Sequence, residues 1–309
     1  MRVLITGGAG FIGSHLVREC SKQNIDTVVL DNLSTGLREN LPDNTELVEM
    51  DVCDELLFAV IAEGRYDAIV HLAGQTMVDS SIKDPKNDAR INVMGTVNLL
   101  EAARRSFVKR IVFASTAASY GNVSMEDLPV SENRDFAPMS FYGLTKVTAE
   151  QYLKLYHDIF GMDYVILRFA NVYGERQGDG GEGGVISIFT KRIVEGEDIT
   201  IFGDGEQTRD FVYAGDIAKG ICSALVTKNV NTAYNLSTQT EVSLRELVSC
   251  LCTTVGKEII PLYGPEREGD IRRSMLANGK ALRGLRWQPS VSLEEGLRRT
   301  VEYFAKKQK

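Results

Sequence analysis

Through the first half of the chain, short β-branched and apolar runs alternate with longer stretches whose apolar residues recur every three or four positions. The runs are RVLIT (2–6), TVVLD (27–31), ELVEMD (46–51), DAIVHLA (67–73), RIVFAS (110–115) and DYVILR (163–168). Between them, residues 12–20, 88–105 and 142–160 carry the helical spacing. This alternation predicts an α/β protein with a Rossmann-type doubly wound parallel sheet and crossover helices. After residue 171 the texture changes. The stretch GERQGDGGEGG at 174–184 is too glycine-dense for a regular element, and reads either as a cover over a site or as a plain surface loop. Beyond it, Ser243 with Glu246 and Ser292 with Glu295 have the spacing of capping boxes, so the later part is folded too. The strand-like segments at 209–216 and 233–237 can return to the first sheet. The expected organisation is a first domain over 1–170, completed by segments near 209–237, interleaved with a smaller α/β domain over 171–309.

Composition narrows the partners. The 309 residues are 43% hydrophobic and 25% charged, ordinary for a globular chain, with a formal net charge of −7. A negative balance offers no general attraction to nucleic acid or to anionic lipid. No run reaches transmembrane length, and the strand-like start is too short for a signal-peptide core. Five cysteines without a CxxC pair argue against a disulfide framework or zinc site, so a cytoplasmic protein is expected. The three histidines, His15, His71 and His157, have no metal-ligand spacing and read as structural.

The first strand leads directly into TGGAGFIGSH (6–15), where Gly7, Gly10 and Gly13 form GxxGxxG at the start of a helical pattern. In that context glycine lets the backbone turn tightly against a pyrophosphate, whose charge meets the positive helix N-terminus. Asp31 ends the second strand, where its carboxylate can bond an adenosine ribose and would repel a 2′-phosphate. NAD is therefore expected over NADP.

Tyr142 and Lys146 stand in YGLTK, four residues apart on one helical face. An isolated pair at that spacing is ordinary polar surface; its context singles it out here. A free phenol titrates near ~10, and a neighbouring ammonium would favour the phenolate and make Tyr142 a general acid/base. FASTAASYG (113–121) leaves the end of a strand and offers Ser115 and Thr116 as hydroxyl partners, with Thr116 the candidate second proton-relay group.

Together TGGAGFIGSH, DNLSTG (31–36), DV (51–52), HLAGQ (71–75), Asn92, STAASYG and YGLTK resemble the extended short-chain dehydrogenase/reductase family over essentially the whole chain. RFANVYG (168–174), FGDG (202–205), TRDFVY (208–213) and REGD (267–270) are most similar to its NAD-dependent epimerases acting at C4 of UDP-glucose. The resemblance implies that NAD contacts Gly7, Gly10, Phe11, Ile12 and Gly13; Asp31, Asn32, Ser34, Thr35 and Gly36; Asp51 and Val52; Leu72, Ala73, Gly74 and Gln75; and Asn92, Ser115, Tyr142 and Lys146. It implies a UDP-sugar held by Thr116, Tyr142, Asn171, Arg209, Arg267 and Asp270, with Phe202 beside the uracil or in the core. It also implies a homodimer formed through the helices at 88–105 and 142–160.

Relatives that eliminate or decarboxylate carry acids just after the Thr116 position, whereas Ala117 and Ala118 follow here. Reversible oxidation at C4 through a transient 4-keto sugar is the chemistry then implied. Ser274 matches a position that is bulky or small within the family, and a small residue leaves room for a 2-acetamido group. UDP-glucose/UDP-galactose, with UDP-N-acetylhexosamines in addition, are the expected substrates. Alternatives are an epimerase confined to UDP-glucuronate or UDP-N-acetylglucosamine, and a catalytically silent NAD-binding scaffold or sensor.

Overall fold

In the computed structural model, which describes residues 1–178, 183–266 and 271–308, the apolar runs become parallel strands: β1 (Arg2–Thr6), β2 (Asp26–Asp31), β3 (Glu46–Glu49), β4 (Ala68–His71), β5 (Arg110–Thr116) and β6 (Asp163–Phe169). Three short pairs follow. β7 (Asn171–Tyr173) runs with β10 (Phe211–Tyr213), β8 (Thr200–Phe202) with β13 (Leu262–Gly264), and β9 (Thr208–Arg209) against β12 (Val242–Ser243). The remaining strand, β11 (Thr232–Leu236), pairs with β6 and gives a seven-stranded sheet of order β11-β6-β5-β4-β1-β2-β3. Of the two later segments expected to be able to return, the one at 233–237 joins the sheet. The one at 209–216 instead pairs with β7, because that short strand leaves β6 after Ala170 and offers it a free edge.

The strands read as continuous apolar runs because both faces are covered. On β1, Val3 and Ile5 join a core that includes Leu16, Val17 and Ile221, from the helices Phe11–Lys22 and Ala214–Val226. Leu4 points to the opposite core, with Leu57, Leu99 and Leu153 from the helices Leu57–Gly64, Gly95–Arg105 and Phe141–Phe160. A third core gathers Phe189, Ile201, Phe211, Leu247 and Leu297 in the later part of the chain.

Two expectations are corrected in detail. The helix expected over 88–105 is a short helix Pro85–Ala89, a π-helical turn Arg90–Met94 and then Gly95–Arg105. The extra residue of the π turn carries Asn92 into the interior, where it is 2% exposed. Ser243 and Glu246 form a complete capping box, but Ser292 and Glu295 form half of one. Ser292 Oγ accepts from the Glu295 N–H at 3.3 Å, while the Glu295 carboxylate is drawn to Arg298 and Arg299 at 2.8 and 2.7 Å.

Candidate active site

The strand order reverses between β1 and β4, the point at which open α/β sheets bind ligands beyond their carboxyl ends. Gly7 leaves β1 there with a φ of +70°, and a Cβ on it would lie 2.6 Å from the Ala73 nitrogen. A Cβ on Gly13 would lie 2.3 Å from the Gly7 carbonyl. Both positions therefore require glycine. The helix Phe11–Lys22 that follows has Gly10 at its N-cap, with no side-chain cap and no acid in its first turn. Its N-terminal N–H groups and dipole are left for an anion, so these residues fit a dinucleotide pyrophosphate.

Asp31 is buried at the end of β2. Its carboxylate accepts from the N–H groups of Ala9 and Leu33, each at 2.9 Å. Burial pushes its pKa up from the ordinary carboxylate value, opposed by those two bonds. Gly36 packs against it, and a Cβ there would fall 2.8 Å from Oδ1. Asn32 bonds Asp51 at 3.1 Å and receives the Ser34 hydroxyl at 2.7 Å, which ties the 31–36 turn to the end of the third strand. Thr35 is exposed on that turn, and Val52 is buried next to Asp51. Phe11 and Ile12 are half-buried in the first helical turn, as are Leu72, Ala73, Gly74 and Gln75 just past β4. Asn92 bonds both backbone groups of Gln75, its oxygen accepting from the N–H at 2.9 Å and its amide donating to the carbonyl at 3.0 Å.

Ser140 caps the helix Phe141–Phe160, its hydroxyl accepting from the Gly143 N–H at 3.1 Å. Tyr142 thereby sits in the first turn. A Cβ on Gly143 would be 2.8 Å from the Ala118 carbonyl, so this helix start lies directly on the segment after β5 that carries Thr116. Burial pushes the Tyr142 phenol up, and a hydrogen bond with the Thr116 side chain pulls it down. Lys146 is 4% exposed; it donates to the Ala114 carbonyl at 3.1 Å and lies 4.9 Å from the centroid of the Phe113 ring. Burial draws its ammonium down to about 8, against the upward pull of the Asp88 and Glu150 carboxylates. The expected lowering of Tyr142 by its neighbouring ammonium is not found: the downward pull comes from Thr116, and burial together with the Asp88 charge raises the phenol. Ser115 is committed elsewhere, donating to Glu150 at 2.5 Å in the core.

On the opposite side, Asn171 is exposed at the start of β7 and bonds the Asp210 carbonyl through its N–H at 2.9 Å. Arg209 donates to the carbonyls of Thr208 and Ile271 at 2.8 and 2.6 Å. Phe202 is half-buried at the end of β8. Ser274, also half-buried, follows two anchored arginines: Arg272 forks onto Asp204 at 2.8 and 2.9 Å, and Arg273 pairs with Glu241. Arg267 and Asp270 lie outside the described residues. So does part of the expected cover, at 179–182.

A model of the NAD dependent epimerase/dehydratase family matches residues 3–237. The chain belongs to this family. The UDP-glucose 4-epimerase of Mycolicibacterium smegmatis is 41% identical over 313 residues, covering 99% of each chain. Among solved structures, the UDP-glucose 4-epimerase of Thermotoga maritima with UDP-glucose is 40% identical, with a TM-score of 0.96 over 100% of both chains. That of Thermus thermophilus, in complex with NAD, is 39% identical, with a TM-score of 0.91 over 98% of this chain and 99% of the other.

Within this epimerase/dehydratase chain, the residues that sequence reasoning missed are buried charges. Glu150 is fully buried and takes Arg168 of β6 in a fork at 3.0 and 2.7 Å, and Arg168 also donates to Tyr120 at 2.8 Å. Glu150 stands one turn beyond Lys146 beside the apolar Ala149 and Leu153, which was the available signal. Asp210 is fully buried and accepts from the N–H groups of Thr238, Gln239 and Leu276, at 2.8, 3.1 and 3.2 Å. It thereby fixes the backbone next to Arg209 against the segment that carries Ser274.

Proposed function

We propose that this chain is an NAD-dependent UDP-hexose 4-epimerase that interconverts UDP-glucose and UDP-galactose. One observation carries the reading: Thr116 and the Tyr142–Lys146 helix meet beside the glycine cradle, with Ala117 and Ala118 following Thr116 where elimination would need acids. NAD, when bound to the cradle of Gly7, Gly10 and Gly13 and to Asp31, would supply reversible hydride acceptance at C4, so that the sugar could invert through a transient 4-keto form. The protein's part is proton transfer and positioning. Tyr142 as phenolate takes the C4 hydroxyl proton and returns it at the end of the cycle, so protons and electrons balance. Thr116 donates to the Tyr142 oxygen, and Lys146, anchored on the Ala114 carbonyl, contributes a fixed positive charge. The second, smaller part of the chain holds the UDP group. Arg209 and Arg267 fork onto diphosphate oxygens, Asp270 or Asn171 bonds ribose or phosphate groups, and Phe202 lies beside the uracil.

Mixing the purified chain, without added cofactor, with UDP-galactose, UDP-glucose, UDP-N-acetylglucosamine and UDP-glucuronate tests this reading. Interconversion of the first two is expected, and its absence even with added NAD refutes the assignment. Ser274 leaves room for a 2-acetamido group, so UDP-N-acetylglucosamine is a further substrate. Ser274→Tyr should remove that activity selectively, and equal loss on both sugars would overturn it.

The chain works as a homodimer. Phe141, Leu144, Tyr152, Leu155 and Ile159 form an exposed apolar stripe along one helix, with Ile82 and Met94 also exposed. Sedimentation measures this directly. The five free cysteines suit a reducing cytoplasm, and among the described residues no helix is long and apolar enough to cross a membrane.

A further inference from the structure

Tyr142, Lys146 and Glu150 stand one turn apart on the inner face of their helix, and a second acid approaches that face from another segment. Asp88, in the short helix Pro85–Ala89, is 1% exposed. Its Oδ1 accepts from the side-chain amides of Gln75 at 2.6 Å and Asn92 at 3.2 Å, and its Oδ2 accepts from the Thr145 hydroxyl at 2.8 Å. All three donors are neutral. Burying a carboxylate whose charge no bonded neighbour cancels is costly, so this acid needs a reason beyond packing. The reason lies in what it faces. Thr145 sits between Tyr142 and Lys146 in sequence, and the amide of Asn92 reaches the same Thr145 hydroxyl at 3.1 Å.

We infer that Asp88 is a positioning residue for the proton-transfer pair, clamping the Tyr142–Lys146 helix through Thr145 and setting the electric field beneath both side chains. On Lys146 a negative charge offsets burial and preserves the ammonium. On Tyr142 it opposes the phenolate. The other groups facing this floor are Glu150, whose charge Arg168 balances across the sheet, and His71, which burial keeps neutral. Asp88 is therefore the acid without a guanidinium partner, and its charge keeps Lys146 a cation while raising the pH at which Tyr142 becomes the phenolate that takes the substrate proton. For Tyr142 as the proton-transfer group this inference rests on the function proposed above; the field itself does not.

The test uses the holoenzyme and two readouts. Labelled tyrosine, with the Tyr142 ring-carbon signal identified by its loss in Tyr142→Phe, reports the phenol titration by NMR, and kcat/KM for UDP-galactose is measured against pH. In Asp88→Asn the phenol titration and both limbs of the profile should move to lower pH, by on the order of one unit. Thr145→Val, which removes the clamp and keeps the charge, should lower the rate without displacing either. Asp88→Glu keeps the charge and should leave the titration near that of the unmodified protein while the rate falls, which serves if Asp88→Asn does not fold. A titration unmoved in Asp88→Asn, or displaced by Thr145→Val as far as by Asp88→Asn, overturns the inference. Inactivity of the unmodified protein on every UDP-hexose would refute the proposed function instead, and the tyrosine titration would still decide the role of Asp88.

Discussion

The two walls of the candidate site are built from different materials. On the cofactor side the chain presents backbone: a glycine turn pressed against Ala73, an uncapped helix start, and Asp31 held by two N–H groups. On the catalytic side it presents buried charge, in Asp88, Lys146, Glu150 and Arg168, all 4% exposed or less. A wall of backbone fails when an atom is added to its glycines. A wall of buried charge fails when one sign is removed.

Tyr142→Phe should cost the most on the charged side, about 10²–10⁴-fold in kcat, with NAD still retained because the cradle is untouched. Loss of NAD together with activity would break the distinction. Glu150→Gln leaves the Arg168 guanidinium short of its counter-charge and should lower unfolding stability by about 3–5 kcal/mol, read from the urea midpoint. A small effect would mean that Tyr120 and the Glu132 carbonyl suffice to hold the arginine. Gly13→Ala places a methyl 2.3 Å from the Gly7 carbonyl and 2.5 Å from Gly8 Cα. It should cost about 1–3 kcal/mol and yield protein that loses NAD during purification while the Tyr142 floor stays intact.

The most gradual effect is shared by the two walls. His15, on the cradle helix, and His71, beneath Lys146, are both drawn down to about 3, chiefly by burial, with Arg176 and Lys146 respectively adding to it. Their unfolded value is near ~6.5, so the unfolded chain binds protons that the folded one refuses. Their contribution is complete above that value and declines as pH falls toward 3, at up to about 1.4 kcal/mol per pH unit for each histidine. Urea midpoints measured from pH 7 down to pH 5 should fall accordingly, and a flat profile would mean that the rings are not held neutral.

This contrast also explains what the sequence made readable. A backbone wall needs glycine, and glycine at Gly7, Gly10 and Gly13 after a strand is visible as a pattern. The spacing of Tyr142 and Lys146 is visible for a similar reason, since a helix fixes which residues share a face. Asp88 and Glu150 were not, because an acid in a helical stretch looks like a solvated position until its burial is known. The π turn that swings Asn92 inward leaves no trace in the apolar spacing of 88–105. Arg209 was legible only through the resemblance of TRDFVY, since one of its anchors, the Ile271 carbonyl, belongs to a distant segment.

The seventh strand of the sheet has a consequence in time. β6 ends at Phe169, but its outer edge is covered only by Thr232–Leu236, after the whole excursion through β7 to β10 and the helix Ala214–Val226. During synthesis at about 5–20 residues per second, the edge of an otherwise finished sheet stays open for several seconds. An unpaired edge of apolar strand is a template for pairing with other chains. The nascent protein is therefore most exposed to aggregation in that interval, and a ribosome stalled before residue 232 would hold it there.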